Sequence, residues 1–183
     1  MTRTLSVRQP ARLAGVVVIA ALTCANLVQR AGTQEKPGPV AARPFDERTA
    51  AAWKKAGAAL GWIAVNQYGI QEFRPQADGL AGAVPACRIA KWQENLFAKL
   101  PDPALPFGLT LTGADVTDAG LKGLASLKTL QLLYLGQTLV TDAGLKELAS
   151  LKSLQTLDLG GTRVTDVGVA SLRKALPGCK IIR

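Results

Sequence analysis

Hydrophobic and polar positions in the C-terminal half of this chain switch between two periods, and the switch itself repeats. VTDAGLKGLASLKTLQLLYL (116–135) is followed by VTDAGLKELASLKSLQTLDL (140–159) and by a decayed VTDVGVASLRKALPGCKII from Val164. Thr117, Thr141 and Thr165 set a period of 24 residues, and Asp118, Asp142 and Asp166 keep step. In each unit one stretch alternates as a strand does. Leu133 and Leu135 fall on one side with Tyr134 on the other, and Leu109/Leu111 and Leu157/Leu159 repeat the arrangement. In the next stretch, DAGLKELA, Leu145, Leu148 and Ala149 are spaced i, i+3 and i+4, along one side of a short helix. Thr141 is placed to cap that helix, with Asp142 in its first turn facing the positive end of the helix dipole and Lys146 four residues on as its expected partner. Gly144 is costly inside a helix, which predicts close packing between neighbouring units. Thr138 and Thr162 follow their strands at a position where a hydroxyl can bond the backbone of the turn; Ala114 lacks that hydroxyl, so the first unit is expected to be looser.

Units of this kind bury their leucines only against each other, so both ends of the stack must be closed. At one end ALPGCKIIR keeps a final strand, Lys180 to Ile182, while Pro177 and Gly178 break the repeat. At the other end, FDERTAAAWKKAGAALGW predicts a helix burying Trp53, Ala56 and Leu60. WIAVNQYGIQEF then alternates as a hairpin around Tyr68-Gly69. ACRIAKW followed by ENLFAKLPDPALPFGLTL reads as a decayed repeat, with Ile89 preceding Leu111 by 22 residues. The expected organisation is a signal peptide or anchor over 1–25, a linker over 26–44, a cap with a degenerate repeat over 45–106, and repeats with a C-terminal cap over 107–183.

The N-terminal segment changes the meaning of the charge. Arg3, Arg8 and Arg12 precede an apolar run from Leu13 to Ala25. That run is shorter than the roughly 20 residues of a membrane span and suits a secretory signal cut after Ala25, with Thr23 and Ala25 as the small residues. Retained, residues 13–28 would act as a membrane anchor. Cys24 raises lipidation, but Leu22 and Thr23 before it match a lipobox poorly. AGTQEKPGPVAARP (31–44) has linker composition. The formal net charge is +9, of which residues 1–43 supply +5 from six Lys/Arg against Glu35. The remainder interleaves Lys with Asp along the repeats, so the basic balance does not point to nucleic acid. The expected location is periplasmic or extracellular.

VTDAGLKELASLKSLQTLDLGGTRVTD resembles the leucine-rich repeat family of the ribonuclease-inhibitor-like superfamily, and in particular short exported repeat proteins of planctomycete-type bacteria. The resemblance covers about 107–183, and 45–106 more weakly through AAWKKAGAALGW. It implies an α/β solenoid with a parallel sheet on the concave face, short helices on the convex face, and protein binding as the usual role. Similar VTDxGL repeats occur in substrate receptors of eukaryotic ubiquitin ligases, but no F-box-like helical segment is present here.

Little in the composition supports catalysis. Histidine is absent, no metal-ligand spacing occurs, and no cofactor is expected. The Thr-Asp pairs recur in every unit, as caps must and an active site need not. Cys87 has no histidine to activate it and reads as a buried core thiol, as does Cys179; several strands of about 4.8 Å separate the two, so no disulfide is expected. Trp53, Trp62 and Trp92 read as core of the cap rather than as a ligand cleft. The remaining candidate is the outward row of the concave sheet: Thr110 and Thr112, Leu132 and Tyr134, Thr156 and Asp158, Lys180 and Ile182. Leu132 beside an exposed Tyr134 has the composition of a binding anchor. Exposure implies that Tyr134→Ala would leave stability nearly unchanged. Four or five strands offer a footprint of roughly 200–250 Å², against about 800 Å² per partner in a stable interface. The expected function is a non-enzymatic protein or peptide interaction module. The alternative is an envelope scaffold held by an uncleaved anchor.

Overall fold

The computed structural model describes residues 45–65, 71–77, 82–93 and 95–183. The expected signal peptide and linker, and the tip of the expected hairpin at Tyr68-Gly69, lie outside the described residues. Among the described residues seven strands form one sheet: β1 (Ala58–Val65), β2 (Gln71–Arg74), β3 (Val84–Ile89), β4 (Phe107–Thr110), β5 (Leu130–Tyr134), β6 (Thr156–Asp158) and β7 (Lys180–Ile182), in the order β2-β1-β3-β4-β5-β6-β7. From β3 to β7 all neighbours are parallel, each joined to the next by a crossover. Among the described residues the α-helices are α1 (Glu47–Lys55), α2 (Asp118–Leu121), α3 (Asp142–Leu148) and α4 (Asp166–Ala175). The result is the expected leucine-rich repeat architecture, a curled α/β sheet with short helices packed on one side.

The decayed repeat in the cap is structurally real. Cys87 pairs with Leu109, Leu109 with Leu133, Leu133 with Leu157, and Leu157 with Ile181. The 22-residue offset between Ile89 and Leu111 is the same register step that joins β3 to β4. The hairpin is also present, as β1 runs antiparallel to β2 with Val65 opposite Gln71. The helix before it is shorter than the sequence implies. It ends at Lys55 because Gly57 turns at φ +85° and donates to the Lys54 carbonyl, so the Ala56 N–H to the Ala52 carbonyl is the last bond of the ladder. Ala56 is therefore the half-buried C-cap rather than a core helix residue, and Leu60 packs from a strand. At the other end Asp46 accepts from Thr49 N–H at 2.9 Å, and Trp53 is fully buried, donating to the Pro101 carbonyl at 3.0 Å. Its ring meets Phe107 edge-on at 5.7 Å, so the cap seals the leucine core with aromatic rings.

Between repeats, the Thr-Asp pair does more than cap. Thr141 and Thr165 accept from Ala143 and Gly168 N–H as expected of N-caps, whereas Thr117 makes no such bond. Each hydroxyl also donates backward. Thr141 gives its amide and hydroxyl to the two oxygens of Asp118 at 2.8 and 2.6 Å. Thr165 does the same to Asp142 at 2.8 and 2.6 Å. Asp142 is thus committed to the following unit rather than to Lys146. Asp166 continues the series by pairing with Arg183. A methyl group on Gly144 would strike the Asp118 carboxylate, and one on Gly168 would strike that of Asp142. Those glycines make room for the carboxylate of the unit before, which is the close packing the sequence implies. At the first unit the space beside Gly120 is filled by the Trp92 ring.

Hydrogen bonding to Thr165 holds the Asp142 carboxyl below its ordinary value of 3.8. A depressed folded-state pKa contributes stability that is present above the unfolded value and is lost as pH falls through the folded one. Acid titration should therefore destabilise the fold below about pH 4, and Asp142→Asn should flatten that part of the stability profile. An unchanged slope in denaturant melts between neutral and acid pH would count against the ladder.

The turns after the strands are built as expected, with Thr138 and Thr162 donating to the Leu135 and Leu159 carbonyls at 2.6 and 2.7 Å. Gly113 and Gly161 turn at φ +73° and +70°, and Gln137 takes the same left-handed position at φ +58°. A side chain there costs about 1–2 kcal/mol, partly offset by the entropy that glycine loses on folding. Gln137→Gly should therefore raise stability by about 0.5–1 kcal/mol, read as a higher denaturant midpoint at unchanged m.

Candidate functional site

The candidate surface is the sheet face opposite the helices. Leu109, Leu133 and Leu157 point into the main core and are fully buried. Their neighbours along each strand therefore form the other face, as the alternation implies. Register places Gly108, Leu132, Thr156 and Lys180 in one row, and Arg88, Thr110, Tyr134, Asp158 and Ile182 in the next. Thr110, Leu132, Thr156 and Asp158 are half-buried, while Lys180 and Ile182 are exposed.

Tyr134 corrects the sequence reading. It lies on the expected face, yet only 1% of its surface is exposed. It packs with Ile63 and Ala86 in a second small cluster, with Phe73 and Leu132 against it. The cap builds this cluster. Gly61 and Gly108 keep the sheet floor low: a methyl on Gly61 would meet the Phe73 ring at 2.9 Å, and one on Gly108 would meet Leu132 Cβ at 3.3 Å. Phe73 on β2 thereby leans over β1, and Arg88 lays its guanidinium over the Phe73 ring at 4.9 Å. Burial, with the negative charge of Asp158 beside it, pushes the Tyr134 phenol up to about 12, so it stays protonated at neutral pH.

The N-terminal half of the concave face is therefore walled by its own cap. Leu132 borders the wall, and from there the surface continues over β5, β6 and β7 through Thr156, Asp158, Lys180 and Ile182. Asp158 accepts from Gly160 N–H at 2.9 Å, tying its carboxylate to the turn. Strand periodicity alone does not encode the wall, because Gly61, Phe73 and Arg88 come together only through the hairpin. The recurrence of small residues at Gly61, Ala86 and Gly108 on one face was the available signal.

No group of three or more metal-ligating side chains occurs among the described residues. Cys87 and Cys179 are free and buried, as expected, and burial raises both thiols away from the reactive thiolate form. A groove of about 320 Å³ between α3 and α4, lined by Leu145, Ala149, Val167 and Leu172, lies on the convex side. No helix among the described residues is long and apolar enough to cross a membrane.

Residues 150–172 match the family model described as Leucine Rich repeat. That stretch carries β6, the Thr162 turn and the cap of α4, which are the parts of the unit that the register shows repeated. The match supports a leucine-rich repeat protein, a fold that serves in general as a non-enzymatic surface for binding proteins. No curated protein matches the chain.

Proposed function

We propose that this protein is an exported, non-enzymatic interaction module that holds a segment of a protein partner on the concave face of β5–β7. The observation that carries the reading is the row Leu132, Thr156 and Lys180, aligned by register across three parallel strands beside the closed Tyr134 cluster. A half-buried leucine at the edge of a rigid apolar wall, with polar groups around it, has the anatomy of an interface anchor and its rim. Three strands at about 4.8 Å give a lane about 14 Å wide. Such a lane accommodates an extended segment or a loop and falls far short of the area needed to dock a folded surface.

Affinity capture from envelope and secreted fractions tests this, comparing the wild type with Leu132→Arg and with the convex variant Lys146→Glu. The expected result is a partner retained by Lys146→Glu and lost with Leu132→Arg. A partner indifferent to Leu132→Arg would remove the concave face from the account. Export rests on the basic start and the apolar run from Leu13 to Ala25. An intact mass for the mature protein beginning at Asn26 is expected, and a retained N-terminus would favour the anchored scaffold instead.

A further inference from the structure

The charges on the concave face narrow the partner further, given that reading of the site. Two cations flank the lane. Arg88 stands exposed on the wall, held over Phe73, and Lys180 stands exposed on the far strand. Neither makes an ion pair with another described residue, in contrast to Arg74 with Glu72 and Arg183 with Asp166. Between them the floor is aliphatic and hydroxylic, with Leu132 and Thr156, and Ile182 lies at its margin. Asp158 is the one acid of these two rows, and one of its oxygens is already bonded to Gly160 N–H. Its charge disfavours a second carboxylate directly above it, which leaves the two ends of the lane as the places for acidic groups.

We infer that the partner segment is an acidic peptide with an aliphatic centre, its carboxylates received by Arg88 at one end and Lys180 at the other. Four strand spacings put these positions about 19 Å apart along the sheet. Long cationic side chains reach inward, so carboxylates four to six residues apart on an extended chain span the gap at about 3.3 Å per residue. The Arg88 guanidinium is the better-defined end, because the Phe73 ring fixes its plane.

An array of synthetic 12-residue peptides tests the inference, each carrying a central leucine between two glutamates set two to eight residues apart, with a lysine-flanked twin of each. Wild-type protein should bind the glutamate series with an optimum at four to six residues, and binding should weaken at least tenfold between 50 and 500 mM salt. Arg88→Glu with Lys180→Glu should abolish that binding and gain the lysine series. Equal binding of both series, or binding of neither, overturns the inference. Leu132→Arg separates it from the underlying site: peptides that bind but ignore Leu132→Arg would refute the concave location, whereas sensitivity to Leu132→Arg without sensitivity to charge would refute only the acidic partner. Circular dichroism of each variant checks that the fold is intact, since Arg88 and Lys180 are exposed but Leu132 is half-buried against the Tyr134 cluster.

Discussion

Tyr134→Ala should destabilise the protein by about 3–5 kcal/mol, the range for emptying a buried aromatic site. Tyr134 is the largest residue of the concave cluster and holds Ile63, Ala86, Phe73 and Leu132 together across four strands. Its loss opens a cavity that the stiff sheet beneath cannot collapse to fill. Tyr134→Phe keeps the ring and should cost far less, because the packing rather than the hydroxyl does the holding. Equilibrium denaturation of the pair decides the matter. A small loss for Tyr134→Ala would mean that the ring is exposed after all and that the wall does not exist. A secondary effect follows for binding, because Leu132 leans on the same cluster: Tyr134→Ala should weaken capture of a partner even where the variant remains folded.

Gly144→Val should be the next most costly, at about 2–3 kcal/mol. An added side chain meets the Asp118 carboxylate and Leu121 Cδ1, the latter at 2.9 Å from the first atom alone. Overpacking of that kind costs about 1–3 kcal/mol. To escape it Asp118 must move, which surrenders its bonds to the Thr141 amide and hydroxyl, and bonds to a charged group contribute about 1.5–3 kcal/mol. The two costs share a cause, so they should not add. In an Asp118→Ala background the further loss on Gly144→Val should shrink by at least 1 kcal/mol, an interaction of the size that neighbouring residues show in double-mutant cycles. Additive losses would show that the glycine serves the helix backbone alone and that the carboxylate is incidental to it.

Most of the fold was legible because it is written three times. A period of 24 residues fixes the order of strand, turn and helix, and the alternation about Leu133 and Leu157 assigns both sheet faces correctly. Even the degenerate turn at Cys87 and Ile89 was visible as an offset of 22. What sequence periodicity does not encode is contact between elements that do not repeat. The hairpin in the cap occurs once, so nothing in the pattern says that Phe73 leans over Gly61 or that Tyr134 is covered. The same limit explains the partner of Asp142. Local spacing favours Lys146 four residues on, yet the stacking of units brings Thr165 closer and offers two donors in place of one. Ala56 failed for a different reason: GAALGW has helical composition, and only the left-handed turn at Gly57 ends the helix early enough to begin β1. Among the candidate site residues, Thr110, Leu132, Thr156, Asp158 and Lys180 share the face assigned to them, whereas Tyr134 belongs to its wall.

The central claim is that partners are held on the concave lane of β5–β7. Hydroxyl-radical footprinting of the captured complex against the free protein tests it most directly, because the aliphatic probes on the two faces differ. Protection centred on Leu132 and Ile182, with Val167 on the convex groove unchanged, is the result expected. Protection of Val167 with Leu132 and Ile182 left as reactive as in the free protein would contradict the account and move recognition to the groove between α3 and α4.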